Sequence, residues 1–230
     1  AFPDLSKLTA PNLVKGLKSD SSTARLHVQQ EILKRADAGL ASAILEVIND
    51  TSCQKEGRVA AIFTYGQLLG GEAVPALMAS SKDQAIQEFC LRAAADRKGV
   101  AKTLTTAPFV EALKSDDKRV QVAAAVALGR IGKPEAADAL LKAAVSPTPG
   151  SHDKPNSGVV LPHVAVRSLV DLEAADACLK ALDSTTQDRA LWALRKMHSA
   201  KVVDGLLAKL ASTSDEELQL KIITALARLY

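Results

Sequence analysis

The amino-acid sequence predicts an all-α protein, a right-handed α-α superhelix built from about seven stacked helical hairpins. Apolar residues recur at three- and four-residue steps along most of the chain, as on one face of a helix. Hydrophobic residues make up 47% of the sequence and aromatic residues only 3%, a composition that favours closely packed helices over strands. Glycines and prolines fall at intervals suited to helix ends. We expect residues 1–230 to form one repeat domain.

Residues 105–145 contain one complete copy of the repeating unit. Its inner helix has an apolar stripe formed by Val120, Ala123, Ala124, Ala127, Leu128 and Ile131. Asp116 and Asp117 precede this stripe, where a carboxylate can accept hydrogen bonds from free amides of the first turn. Gly129 and Gly132 follow it and are expected to end the helix. Because a lone hairpin cannot bury such a stripe, the pattern predicts stacking against further copies.

The other hairpins repeat the order of outer helix, polar turn and inner helix. In the first hairpin Asp20 is expected to act as Asp116 does, and Gly70 with Gly71 is expected to end the second. A looser connector at residues 99–106 precedes the complete copy. The predicted hairpins cover residues 11–35, 40–69, 72–97, 105–132, 134–172, 173–198 and 200–230.

An insertion interrupts the fifth hairpin at residues 146–158, SPTPGSHDKPNSG. Its prolines and glycines exclude a helix, and the inner helix is expected to resume from Pro162. Long loops without structure of their own are often functional or disordered. The segment is therefore either a spacer or a contact loop, with His152 and Asp153 as its polar contributors.

Composition and motif spacing argue against several functions. The net charge is +3, too small a bias to indicate a nucleic-acid or membrane surface. Cys53, Cys90 and Cys178 lack the spacing of a metal or haem-attachment site, and Cys90 and Cys178 are expected to be buried thiols. No phosphate loop, membrane span or Ser/His/Asp arrangement is evident. We therefore predict a protein that is not an enzyme, with no cofactor and no metal.

A family resemblance rests on residues 116–132, DDKRVQVAAAVALGRIG. This run resembles the inner helix of HEAT repeats of the short bacterial type, which have an Asp at the turn, then Val-Arg and Ala-x-x-Ala-Leu-Gly. Ala24-Arg25 matches the Val-Arg pair and Gly57-Arg58 matches it more loosely. Elsewhere the arginine position is occupied by Gln87, Gln121, His163 and Gln219. The resemblance covers nearly the whole chain and implies a HEAT-like solenoid, with little information on chemistry.

A second resemblance concerns residues 160–183 and 189–210. They are similar to the HEAT segment of large exported bacterial proteins that also have a dehydrogenase-like propeller and a c-type haem domain. The resemblance implies an extracytoplasmic location and a chain excised from a longer polypeptide. The first residue is not Met, and the final helix ITALARLY lacks a polar cap, which agrees with excision. The last hairpin is expected to expose an apolar face.

Inner helices of such a stack line its concave face, so their polar residues define the expected partner-binding surface. The candidates are Arg25, Arg58, Gln121, His163, Arg167, Arg189 and Arg195. Two interpretations remain open for the arginines. They either pair with turn acids of adjoining repeats and hold the stack together, or form a mildly basic groove for an acidic partner surface.

Three functional hypotheses follow. The first is a non-catalytic protein-interaction or spacer scaffold within a larger exported redox protein, with protein partners. The second is a small-ligand or lyase-type module resembling the bilin-chromophore lyases, which a polar pocket beside residues 146–158 would favour. The third, a HEAT-like DNA glycosylase, is disfavoured by the small net charge and the scattered aromatic residues.

Overall fold

The structure, a computed structural model, describes residues 4–145 and 160–229. These residues contain α-helices and short 3-10 turns, with no strand among them. The contacts divide the chain into two compact units, Ala1–Ala101 (unit 1) and Lys102–Tyr230 (unit 2). The predicted all-α solenoid class is confirmed, whereas the expectation of a single domain stays a prediction.

Unit 1 consists of paired helices followed by one short helix. The helices are α1 (Ala10–Lys15), α2 (Ser22–Arg35), α3 (Ala41–Asn49), α4 (Lys55–Leu69), α5 (Val74–Ser80), α6 (Gln87–Ala94) and α7 (Lys98–Ala101). Each even-numbered helix up to α6 packs against the helix before it, which forms the hairpins. The inner helices α2, α4 and α6 pack side by side, as do the outer helices α1, α3 and α5.

Unit 2 has the same arrangement. Its helices are α8 (Ala107–Ala112), α9 (Lys118–Ile131), α10 (Ala137–Ala143), α11 (Val160–Asp171), α12 (Ala175–Lys180), α13 (Gln187–Leu194), α14 (Ala200–Ser212) and α15 (Glu216–Leu226). The inner helices α9, α11, α13 and α15 form a row in which each contacts the next. Helix α11 begins at Val160, so Pro162 lies in its first turn, where proline is tolerated. The insertion at residues 146–158 lies outside the described residues.

The predicted apolar stripe of α9 forms the centre of unit 2. All of its residues are buried, and so are Ala125 and Gly129 on the same helix. Burial of a large aliphatic side chain contributes about 1.5–3 kcal/mol. The alanines contribute less individually but allow neighbouring helices to approach closely. The stripe therefore explains why the inner helices pack as a row.

The two glycines near the end of α9 have different roles. Gly132 ends the helix at φ 71°, in the left-handed region, as predicted. Gly129 lies within the helix, contrary to the expectation that it helps to end it. A Cβ added at Gly129 would lie 2.7 Å from Ser168 Oγ, so glycine is needed here because α9 and α11 are in close contact. Ser168 Oγ in turn donates to the Ala125 carbonyl at 2.8 Å.

The turns of the first, fourth and seventh hairpins share one hydrogen-bond pattern. The side-chain oxygen of a Ser or Thr after the outer helix accepts a hydrogen bond from the backbone amide two residues later. The residue that provides this amide is the N-cap of the inner helix, and its own side chain accepts from an amide of the first turn. A polar side chain six residues beyond the Ser or Thr then donates to its carbonyl. The donor and acceptor pairs are Arg25 to Ser19 (2.6 Å), Gln121 to Ser115 (2.7 Å) and Gln219 to Thr213 (2.8 Å).

One predicted cap is corrected by this pattern. The cap of α2 is Ser21, which accepts from the Ala24 amide, and not Asp20. The Asp20 carboxylate instead accepts from Gln54 Nε2 at 2.7 Å, which links the first turn to the second. The expected cap at the fourth turn is Asp117, which accepts from the Arg119 amide at 2.8 Å.

The last hairpin exposes apolar side chains. Leu207 of α14 is 49% exposed, and Leu220 and Ile223 of α15 are 66% and 51% exposed. This confirms the expected apolar outer face of the seventh hairpin. Leu220 also borders the groove described below.

Candidate binding groove

Four of the predicted surface residues are engaged with the backbone of their own repeat or a neighbouring one. Arg25 and Gln121 belong to the turn pattern described above. Arg58 is only 4% exposed, and its Nε donates to the Ile48 carbonyl at 2.7 Å. Arg189 Nη1 donates to the Lys142 carbonyl at 3.1 Å, near the end of α10. Arg58 and Arg189 join neighbouring hairpins or helices, whereas Arg25 and Gln121 hold the turn of their own hairpin.

Arg58 also illustrates the first interpretation of the arginines. Its Nη2 donates to Asp83 Oδ2 at 2.6 Å, which joins the inner helix of the second hairpin to the turn of the third. The same contact holds the pKa of Asp83 below its usual value. Arg58 therefore pairs with a turn acid of the adjoining repeat, as the interpretation of a self-stabilised stack expects for several of the arginines.

The remaining candidates lie on the exposed side of the inner row of unit 2. His163 of α11 is exposed, and its ring meets the Trp192 ring edge to face at 4.8 Å. Arg167 is solvent-exposed and pairs with Asp171 at 3.0 Å. Arg195, the residue that follows α13, is partly buried. The structure therefore brings His163 next to α13 through Trp192. His152 and Asp153 lie outside the described residues.

A groove of about 350 Å³ runs between α13 and α15. From α13 and the residue after it, the groove is lined by Asp188, Leu191, Trp192 and Arg195, and from α15 by Leu220, Lys221 and Thr224. The three- and four-residue spacings place each set on one helix face. Trp192 is half-buried and Leu220 is largely exposed, so the groove has an apolar strip beside charged groups. Apolar surface with a few polar groups is typical of binding sites.

The cations of this groove differ in their partners. Lys221 contacts Glu217 at 2.7 Å and Asp188 at 2.9 Å, and these carboxylates raise the pKa of its ammonium group above the usual value. Arg195 has no acidic partner among the described residues, and its buried Nε has no hydrogen-bond acceptor there. Burial, with a smaller effect of the positive charge of Arg228, lowers the pKa of Arg195. Sequence reasoning missed Lys221 as a groove residue because it lies on the following inner helix, α15.

A second, larger cavity of about 520 Å³ lies in unit 2 next to the ends of the insertion. Val145 and Leu161, which flank the undescribed residues, both line it. Its wall is mixed, with apolar side chains from Val110 and Leu113 and charged groups from Lys118, Asp138 and Lys142. A cavity with polar groups beside the insertion is the feature that would favour the ligand-binding hypothesis, although half of this wall is apolar.

Unit 1 has a different surface feature, an aromatic pair covered by cations. The rings of Phe63 on α4 and Phe89 on α6 meet edge to face at 6.5 Å. Arg92 lies 5.9 Å from the Phe63 centroid, and Lys55 lies 5.5 Å from the Phe89 centroid. Such cation–π contacts contribute about 0.5–1 kcal/mol at exposed sites. The cluster stabilises the contact between α4 and α6.

The structure points to no inorganic centre within its described residues. No group of three or more His, Cys, Asp or Glu side chains is placed to hold a metal ion in residues 4–145 and 160–229. Burial raises the pKa of the Cys90 and Cys178 thiols to about 12, which disfavours the reactive thiolate. Within the same part of the chain, no helix has the length and apolar character that a membrane crossing requires.

Comparison with known proteins places residues 74–151 in the family of HEAT repeats. No curated protein matches the chain. Among solved structures, the complex of CpcE and CpcF of phycocyanin lyase from Nostoc sp. PCC7120 is similar, with 16% identity, 100% of this chain and 98% of that chain covered, and a TM-score of 0.49. Human deoxyhypusine hydroxylase in complex with glycerol is 18% identical, and the match covers 98% of this chain and 87% of that chain with a TM-score of 0.34. A designed armadillo repeat protein in complex with the peptide (KR)4 is 18% identical, and the match covers 97% of this chain and 100% of that chain with a TM-score of 0.28.

These similarities correct one prediction. The sequence contains no catalytic motif that we recognise, and this led to the expectation that the protein is not an enzyme. That expectation is wrong, because a missing motif does not exclude catalysis by a protein of this fold. Similar structures include a phycocyanin lyase and a deoxyhypusine hydroxylase, so catalysis is compatible with stacked helical repeats. The match to HEAT repeats covers residues 74–151, and the described residues on either side of them form stacked helical hairpins of the same kind.

Proposed function

We propose that the protein is an interaction module that binds a segment of another protein on the inner-helix row of unit 2. The observation that supports this function is the groove between α13 and α15, where an apolar strip lies beside Arg195, a partly buried arginine without an acidic partner in residues 4–145 and 160–229. Repeat proteins bind through extended surfaces of this kind. A partner side chain can pack against Trp192 and Leu220 while polar groups at the rim set its orientation.

A peptide-display selection against the whole chain tests the proposal. Selected peptides are expected to bind the native protein and to lose binding to a Leu220→Asp variant, because the new carboxylate would lie in the apolar strip. Leu207→Asp is the matched control, since Leu207 is also an exposed leucine of the last hairpin but lies on α14. The proposal fails if no peptide is selected, or if both variants bind the selected peptides as the native protein does.

A second candidate function is small-ligand binding in the cavity beside the insertion. Its size of about 520 Å³ and its mixed lining support this alternative. A thermal-shift screen with small molecules tests it. Ligands of this cavity should stabilise the native protein but not an Ala139→Trp variant, in which an indole fills the space. Ala211→Trp on the exposed side of α14 should respond as the native protein does.

The extracytoplasmic location and the membership in a larger redox protein rest on sequence resemblance and stay proposals. Subcellular fractionation of the source cells with an antibody against this chain tests both. Detection of the chain only in the cytoplasmic fraction would contradict the location, and the apparent mass of the detected band would show the length of the parent polypeptide.

A further inference from the structure

The charge pattern of the groove between α13 and α15 indicates which partner it would recognise. Lys221 is neutralised by Asp188 and Glu217, at 2.9 and 2.7 Å. Within the described residues neither Arg195 nor Arg228 has a carboxylate partner, although the two positive charges lie near enough to interact. A guanidinium that lines a groove without an acidic partner there is a favourable place for a carboxylate, and a second positive charge nearby adds to the attraction.

The fixed position of Arg195 strengthens this argument. Its Nε is buried, while the residue as a whole is partly exposed and lines the groove. The accessible part of the guanidinium therefore faces the groove, and packing restricts its motion. A restricted planar guanidinium loses less conformational entropy when it binds a carboxylate, and it can make two parallel hydrogen bonds to it.

The groove also contains apolar surface within reach of these charges. Leu191, Trp192 and Leu220 line the same groove as Arg195. Trp192 of α13 lies three residues before Arg195, so the two side chains share one helix face. A ligand that satisfies both features has a carboxylate next to an apolar side chain, as an acidic peptide does.

We propose that the groove binds an acidic peptide segment of another protein, with a carboxylate on the guanidinium of Arg195 and an apolar side chain on Trp192 and Leu220. This inference rests on the proposed function and specifies its partner. It differs from simple attraction to a basic surface, because the net charge of the chain is only +3. Recognition depends on Arg195, which has no acidic partner in the part of the chain that the structure describes, with a smaller contribution from the nearby charge of Arg228.

A nucleic acid fits this groove less well than a peptide. Asp188 and Glu217 stand beside Lys221 and would repel a line of phosphates. Trp192 is the single tryptophan of the chain, and the edge of His163 already meets its ring. Single-stranded nucleic acids bind to successive stacking aromatic rings in strongly positive grooves. Nucleic-acid binding is therefore an outcome of the test and not part of the proposal.

Trp192 makes the proposal directly measurable by intrinsic fluorescence. The probe is a short capped peptide of alternating glutamate and leucine, titrated into the whole chain at low ionic strength. Binding is expected to change the tryptophan emission and to weaken as salt is added. The same peptide with lysine in place of glutamate, and single-stranded oligothymidylate, serve as competing probes and should bind at least about tenfold more weakly.

Charge-removing variants show whether the two arginines are responsible. Arg195→Gln should weaken binding of the acidic peptide about five- to tenfold, and Arg228→Gln should weaken it about twofold, because the exposed Arg228 acts only through its nearby charge. Lys201→Gln is the matched control, because it removes a positive charge from the outer helix α14, where Lys201 pairs with Asp176. Arg228 is exposed, so its variant tests the proposal even if replacement of the partly buried Arg195 impairs folding.

Each outcome separates this inference from the broader function. If the glutamate peptide binds no more tightly than the lysine peptide, or if both arginine variants bind as the native protein does, the acidic-peptide proposal is overturned. If oligothymidylate binds best, the groove is a nucleic-acid site and the proposal is also overturned. Selection of neutral peptides that lose binding to Leu220→Asp would preserve the interaction function and refute only its acidic specificity.

Discussion

Arg58 Nη2 donates to Asp83 Oδ2 at 2.6 Å, and this contact joins two consecutive hairpins of unit 1. The arginine is almost completely buried, and its Nε donates to the Ile48 carbonyl at the end of α3. One side chain therefore satisfies an outer-helix carbonyl and an acid of the next turn. This makes Arg58 a structural element of the stack and an informative position for mutation.

Replacement of Arg58 should destabilise the protein markedly. Arg58→Met keeps a long apolar stem but leaves the Ile48 carbonyl and the Asp83 carboxylate without their donor. We expect the free energy of unfolding, measured in urea, to fall by about 2–3 kcal/mol. This is less than the loss of a fully buried ion pair usually costs, because the Asp83 side chain is about one-third exposed. Lys114→Ala is the control, since its ion pair with Glu111 is equally short but exposed, and its loss should cost less than about 0.5 kcal/mol.

The same pair predicts a dependence on pH. The hydrogen bond from Arg58 is the largest cause that lowers the pKa of Asp83 from 3.8. The folded-state pKa lies below the unfolded value, so the contribution to stability is present above pH 3.8 and is lost as the pH falls through the folded-state value. The difference in unfolding free energy between the native protein and Arg58→Met should therefore shrink on acidification below pH 3.8. A difference that stays constant down to acid unfolding would contradict this assignment.

The contact between α9 and α11 predicts that Gly129→Ala is destabilising. The new Cβ would lie 2.7 Å from Ser168 Oγ and 3.1 Å from Ser168 Cα, so the helices would have to separate. Overpacking of this kind costs about 1–3 kcal/mol, to be measured by chemical unfolding. Gly99→Ala is the control, because a Cβ there meets nothing within 4 Å and alanine favours a helix. Equal effects of the two substitutions would refute the packing explanation.

Two helix ends predict opposite effects of exchanging alanine and glycine. Ala36 after α2 and Gly132 after α9 both have left-handed conformations, at φ 51° and 71°. Ala36→Gly should raise the melting temperature, because a residue with Cβ is strained there by about 1 kcal/mol. Gly132→Ala should lower it by a similar free energy, since no neighbouring atom crowds the new Cβ within less than 4.0 Å. Effects of the same sign at both positions would contradict the backbone explanation.

The cysteines predict a graded reactivity. Cys53 is partly accessible, whereas Cys90 and Cys178 are buried, with thiol pKa values raised by burial to about 12. In the native protein a thiol reagent should modify Cys53 rapidly and the other two only after unfolding. In the unfolded chain the pKa of these thiols is near 9.0, so above pH 9 the unfolded chain binds fewer protons than the folded protein does. The free energy of unfolding should therefore fall between about pH 9 and 12. Replacing Cys90 and Cys178 by alanine should reduce this alkaline loss, and an unchanged profile would contradict it.

The groove between α13 and α15 could not be predicted from the sequence. The sequence predicts Arg195 as a residue of an inner helix, but it does not show what surrounds this side chain. Its relation to Leu220 and Arg228 depends on how α15 packs against α13, which no local pattern encodes. The edge-to-face contact of His163 with Trp192 likewise depends on the packing of α11 against α13.

The sequence by itself determined the helices, their pairing and the buried stripe of α9, because helical periodicity and capping depend on residues within a few positions of one another. Tertiary structure decided which polar residues are available for binding. Arg58 and Arg189 are engaged by neighbouring repeats, and Arg195 has no acidic partner among the described residues. The physical reason is that a side chain's burial and charge partners depend on helices that are distant in sequence and are brought together only by packing.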